Sequence, residues 1–122
     1  MADKEKILIC DDERGIQESF RLILGEKYEL ILTSCGDECL NQLYNYKDIK
    51  LVLMDIKIPK QNGLEIMQEI KSRHPNTKMI VVTGYSSAEI AQEATKIGAI
   101  DYIVKPFESK DILKKIELIL MS

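Results

Sequence analysis

No apolar run in these 122 residues approaches the roughly 20 residues that a membrane-crossing helix needs, so no transmembrane segment is predicted. The amino terminus, MADKEKILIC, lacks the longer apolar stretch and small-residue cleavage site of a secretory signal. Cysteine is scarce. Cys10, Cys35 and Cys39 are odd in number and fit no disulfide framework, which points to the cytoplasm. Cys35 and Cys39, four apart, are expected on one helix face. Two thiols without further Cys or His partners make a poor zinc site, and all three read as small, semi-buried residues. The single histidine, His74, precedes Pro75 and reads as a solvated loop residue. Basic residues do not gather either. A net charge of −3 with no Lys/Arg run argues against direct contact with nucleic acid.

What is present suits an ordinary globular chain, 45% hydrophobic and 30% charged, read here as one domain over residues 1–122. Five apolar runs alternate with five segments of helical period. The runs are Ile7–Cys10, Leu30–Leu32, Leu51–Met54, Met79–Val82 and Ile100–Val104; most show no polar alternation, as expected of strands covered on both faces. The helical stripes are Ile16, Phe20, Ile23 and Leu24; Leu40, Leu43 and Tyr44; Ile66, Met67 and Ile70; Ile90, Ala94 and Ile97; and Ile112 through Leu120. Ser86 with Glu89 reads as a capping box, Asn62 and Ser109 as caps, and Gly98 as a helix end. Strict alternation of this kind predicts an α/β fold: a doubly wound (βα)₅, flavodoxin-like sandwich. Its parallel five-stranded sheet is expected in the order 2-1-3-4-5, since eight units would be needed for a barrel.

In such a sheet, ligands bind beyond the carboxyl ends of the strands. The stretch LVLMDIKIPK runs four apolar residues straight into Asp55, which therefore belongs at a strand's mouth and not in its interior. The first run is followed by Asp11, Asp12 and Glu13, the fourth by Thr83 and Gly84, the fifth by Lys105 and Pro106. Singly, each of these is usually a turn or a cap; four together at strand ends are not. Clustered carboxylates repel and need a compensating charge, and hard oxygen ligands suit Mg²⁺. Lys105 adds an ammonium and Thr83 a hydroxyl, a set able to hold a phosphoryl group. A carboxylate can be the nucleophile, and Asp55, alone on the central strand, is the best candidate.

With DDE at Asp11–Glu13, Asp55 followed by Pro59 and Gly63, and then Thr83, Tyr102 and Lys105-Pro106-Phe107, the chain resembles the receiver domain of two-component response regulators nearly end to end. The resemblance implies a phospho-acceptor switch and not a conventional enzyme. A histidine kinase or phosphotransfer protein would donate to Asp55, with Mg²⁺ held by Asp11, Asp12, Asp55 and the backbone carbonyl of Lys57. Lys105 would bind the phosphoryl group through a loop with a cis Lys105–Pro106 peptide. Thr83 and Tyr102 would relay the change to the face of the fourth helix, fifth strand and fifth helix, where an output protein or fused output domain is read. A phosphorylation-induced homodimer is compatible with this scheme. Two positions depart from the common pattern or add to it: Gly84 replaces a frequent alanine, and Lys57 sets a long cation beside the acceptor.

DDERGI and MDIKIP are similar to stand-alone phosphorelay regulators of the sporulation type, which implies a partner rim at Gly15, Ile16, Pro106 and Phe107. Ile16 fits the core stripe equally well, and Tyr102 can equally be plain core. The chain reads either as a single-domain messenger or as the receiver of a longer regulator. A receiver-shaped module that binds partners without phosphate is the competing class. A dehalogenase-type phosphatase would need a second acid where Lys57 stands. A nucleotide or flavin binder would need a glycine-rich turn where DDERG stands.

Overall fold

The central strands are apolar on both faces, so each face must be covered, and helices supply the cover. The computed structural model describes residues 4–121. In chain order the elements are β1 (Lys6–Cys10), α1 (Arg14–Leu24), β2 (Glu29–Thr33), α2 (Gly36–Asn45), β3 (Ile49–Met54), β4 (Lys57–Ile58), β5 (Gln61–Asn62), α3 (Gly63–Arg73), β6 (Lys78–Thr83), α4 (Ala88–Ile97), β7 (Asp101–Val104) and α5 (Ser109–Met121). The five main strands are parallel in the order β2-β1-β3-β6-β7, which is the expected 2-1-3-4-5 order once the short β4-β5 hairpin is set apart.

Alternate residues of each strand serve opposite layers. Leu8, Cys10, Val52, Met54, Met79 and Val81 pack with Cys39 and Leu43 of α2, Ile66, Met67 and Ile70 of α3, and Ala94 of α4. Ile7, Ile9, Leu51, Leu53, Ile80 and Val82 pack with Phe20 and Leu24 of α1 and Ile112 and Ile116 of α5. A fully buried Leu or Ile of this kind contributes roughly 1.5–3 kcal/mol over its exposed state. The two layers fix the sheet's plane and so the line along which its carboxyl ends open.

Several local expectations shift. The fifth strand begins at Asp101 and not at Ile100, which is half exposed and only donates its N–H to the Met79 carbonyl at the sheet's entrance. Ser87, one residue after the expected Ser86, caps α4 by accepting from the Ile90 N–H. Ser109 is the first residue of α5, and the Glu108 carbonyl accepts that helix's bond from Ile112, so Ser109 is no cap. Cys35 precedes α2 at its N-cap position, so it does not share a helix with the fully buried Cys39. All three thiols are free. His74 lies in the loop just past α3, at that helix's C-cap, and is partly exposed. Asn62 caps α3 in a full capping box with Glu65, and Gly98, at φ 131°, ends α4. No helix among the described residues is long and apolar enough to cross a membrane.

Candidate functional site

The parallel ladders do not stop at the last strand residues. The Asp11 N–H donates to the Thr33 carbonyl (3.1 Å), the Asp55 N–H to Cys10 (3.0 Å) and the Lys105 N–H to Thr83 (2.8 Å). These bonds hold Asp11, Asp55 and Lys105 in register one step beyond β1, β3 and β7, with Thr83 ending β6 beside them. Asp11, Asp55 and Thr83 are buried, at 2%, 4% and 1% exposure, whereas Asp12 is exposed.

Burying two carboxylates side by side is unfavourable without a counter-charge. The counter-charge is the Lys105 ammonium, which donates to Asp11 Oδ2 (2.7 Å), Asp55 Oδ2 (3.0 Å) and Glu13 Oε1 (3.1 Å). Burial pushes the Asp11 carboxyl above its ordinary range despite the pull of Lys105. For Lys105 burial acts downward, but its bonds to Asp11 and Asp55 outweigh it and the ammonium is stabilised. Asp11 Oδ1 also accepts from the Glu13 N–H at 2.9 Å, so it is fixed at both oxygens.

Asp11, Asp12 and Asp55 offer carboxylate oxygens that all lie within 4.8 Å of one another. Three hard anionic oxygens at that spacing fit Mg²⁺, and the net negative balance against one ammonium favours a further cation. The Lys57 N–H donates to Asp55 Oδ1 at 3.3 Å, which places the Lys57 main chain against that carboxylate.

The remaining expected residues gather on the far side. The Tyr102 hydroxyl donates to the Tyr85 carbonyl (2.5 Å), and the Tyr85 N–H donates to Thr83 Oγ1 (3.3 Å). Tyr102 is half-buried against the core, and burial first, then the Asp55 charge, pushes its phenol upward. The Lys57 ammonium lies 4.6 Å from the centroid of the Tyr85 ring. A Cβ at Gly84 would meet nothing within 4 Å, so glycine in place of alanine there forfeits no packing contact.

At the rim, Gly15 and Pro106 are exposed. Ile16 packs partly against the α1–α5 layer, and Phe107 stacks on Phe20 at 5.3 Å and 18°, so both of these expected rim residues take part in core packing. The Lys105–Pro106 peptide is cis. Reading along the chain misses two residues that brace this geometry. Gln17, on the buried side of α1, donates to the Asp11 (2.7 Å) and Thr33 (3.2 Å) carbonyls, and Tyr85 links Thr83, Tyr102 and Lys57. Gln17 sits one turn after the acidic run, a faint signal; a tyrosine two residues past Thr83 carries none.

Residues 7–117 match the family described as the response regulator receiver domain. The chain is 34% identical over 115 residues to the sporulation initiation phosphotransferase F of Bacillus subtilis, covering 91% of this chain and 92% of that protein. It is 34% identical over 111 residues to the regulatory protein AtoC of Escherichia coli, covering 88% of this chain but only 23% of that protein. Among solved structures, a CheY-like receiver domain protein from Methanospirillum hungatei superimposes with a TM-score of 0.92 at 36% identity, covering 98% of this chain and 95% of that one.

Proposed function

The chain belongs to the response regulator receiver domain family, and is a phospho-acceptor signalling domain; from that premise we propose that Asp55 is its acceptor. A histidine kinase or phosphotransfer protein would supply the phosphoryl group. The observation that carries this reading is the Lys105 ammonium bridging Asp11 and Asp55 at the mouth of the central strand. An Asp55 carboxylate oxygen attacks the phosphorus of the donor's phosphohistidine; the new P–O bond forms as the P–N bond breaks, and the imidazole leaves and takes up a proton. Lys105 holds a phosphoryl oxygen and Thr83 orients another. Asp11, Asp12, Asp55 and the Lys57 carbonyl would hold Mg²⁺, which when bound supplies the charge neutralisation that lets an acidic pocket accept a phosphoryl group. The test is incubation with Mg²⁺ and acetyl phosphate, read by intact mass for one added phosphoryl group, with Asp55→Asn as the control argued below.

Phosphorylation adds about two negative charges at Asp55. The Thr83 hydroxyl, drawn toward them, gives up the Tyr85 N–H, and Tyr85 in turn carries the Tyr102 hydroxyl; this supports a relay to the α4-β7-α5 face. Thr83→Ala should still accept phosphate. Its phosphorylation-dependent gain in affinity for an output partner, roughly 5–150-fold in a coupled switch, should fall to nearly none. Equal gains in the variant and the wild type, measured by titration, would dismiss the relay.

The place of Lys57 over the Tyr85 ring supports a second role, screening the acyl phosphate from water. Lys57→Ala, which opens that side of the site to water, should therefore shorten the acyl-phosphate half-life. An unchanged half-life would discard this role. The 34% identity to the sporulation phosphotransferase supports docking of a relay partner through Gly15, Ile16, Pro106 and Phe107.

A further inference from the structure

Glu13 stands at the N-cap position of α1, yet its side chain makes no capping hydrogen bond. Its carboxylate reaches instead to the Lys105 ammonium, 3.1 Å away. The three carboxylates around that ammonium are not equivalent. The side chains of Asp11 and Asp55 are 3% and 5% exposed, whereas that of Glu13 is 61% exposed. Asp11 and Asp55, with Asp12, form the group able to share one cation, and Glu13 lies outside that group. The ammonium thus has two partners that a divalent cation also claims and one that it does not.

We infer that Glu13 is a positioning residue for phosphoryl transfer, which retains the Lys105 ammonium at the rim when Asp11 and Asp55 turn to a divalent cation. This rests on the reading of Asp55 as a Mg²⁺-dependent acceptor. A lysine ammonium on its flexible four-carbon stem, repelled by a dication beside it, swings into water unless another anion holds it. Glu13 supplies that anion, so Lys105 gives up Asp11 at less cost and stays in reach of the phosphoryl group on Asp55. A glutamine at position 13 keeps the length but not the charge, and leaves Lys105 competing harder for Asp11 and Asp55.

The experiment is a Mg²⁺ titration without phosphodonor, followed by tyrosine fluorescence, on wild type, Glu13→Gln, Lys105→Met and the double variant. In parallel, the Lys105 ammonium resonance is followed in protein labelled with heavy nitrogen at lysine. Glu13→Gln should weaken Mg²⁺ binding about fivefold, the size of one partly exposed ion pair, when Lys105 is present. With Lys105→Met already in place the effect should drop below about twofold, because only the screened field of an exposed carboxylate remains. At saturating Mg²⁺ the ammonium signal should persist in wild type and be lost to exchange with water in Glu13→Gln. Equal weakening in both backgrounds, or a persistent signal in Glu13→Gln, would overturn the assignment. Should Lys105→Met prevent folding, the resonance in Glu13→Gln decides alone. A wild type that shows no Mg²⁺ response would fell the acceptor reading itself, a failure distinct from these.

Discussion

Asp55→Asn is expected to abolish Mg²⁺-dependent labelling by acetyl phosphate, with no added phosphoryl mass where the wild type gains one. The amide oxygen is neutral and cannot form the acyl phosphate, so the loss is of the nucleophile and not of a fraction of its rate. The protein should still fold. Asp55 is 4% exposed and shares a single ammonium with Asp11 and Glu13, so losing one of three crowded negative charges relieves repulsion. Lys105 keeps two of its partners. A thermal melt at or above the wild-type midpoint, together with absent label, would isolate the chemistry from the fold. Label that persists and survives acid would move the acceptor to a serine or threonine.

The second large effect concerns a residue with no functional group. Gly63→Ala should destabilise the domain by about 2–3 kcal/mol, the upper range for forcing atoms into filled space. A Cβ there would lie 2.1 Å from the Asp55 carbonyl oxygen and 2.9 Å from the Ile56 Cα, both backbone atoms that cannot swing aside. The close approach arises because the loop after β3 returns on itself: the β4-β5 hairpin turns through Lys60 at φ 67°, and the Gly63 N–H donates to the Ile56 carbonyl at 2.7 Å. Relief of the clash must move Asp55, so slower phosphorylation should accompany the lowered denaturation midpoint. A variant as stable and as fast as wild type would show that this loop does not set the position of Asp55.

Much of the fold was open to reading along the chain because the buried strands repeat the same physics. Ile7–Cys10, Leu51–Met54 and Met79–Val82 are apolar on both faces, and only a sheet with helices on each side can bury them. Boundaries were less legible. Ile100 continues an apolar run, yet its side chain faces outward, and one-residue errors at Ser86 and Ser109 arise where several polar residues in a row are each able to cap. The β4-β5 hairpin has two residues per strand and no apolar period, so nothing in Lys57–Asn62 announced it.

Asp11, Asp55, Thr83 and Lys105 followed from position, since whatever follows a buried parallel strand must emerge at the same edge of the sheet, whereas the roles of Lys57, Tyr102 and the rim came from the family resemblance. That reasoning places Asp11, Asp55, Thr83 and Lys105 together without saying which atoms meet. The sequence by itself determined the alternation, the layers and the edge at which the polar groups collect, because burial of apolar side chains has few solutions for this pattern. Only the tertiary structure decided that one ammonium serves three carboxylates, and that Tyr85 joins Thr83 to Tyr102. It alone also decided that Gly63 has no room to change. Those are contacts between segments far apart in the chain, set by distances of a few ångströms that periodicity cannot encode.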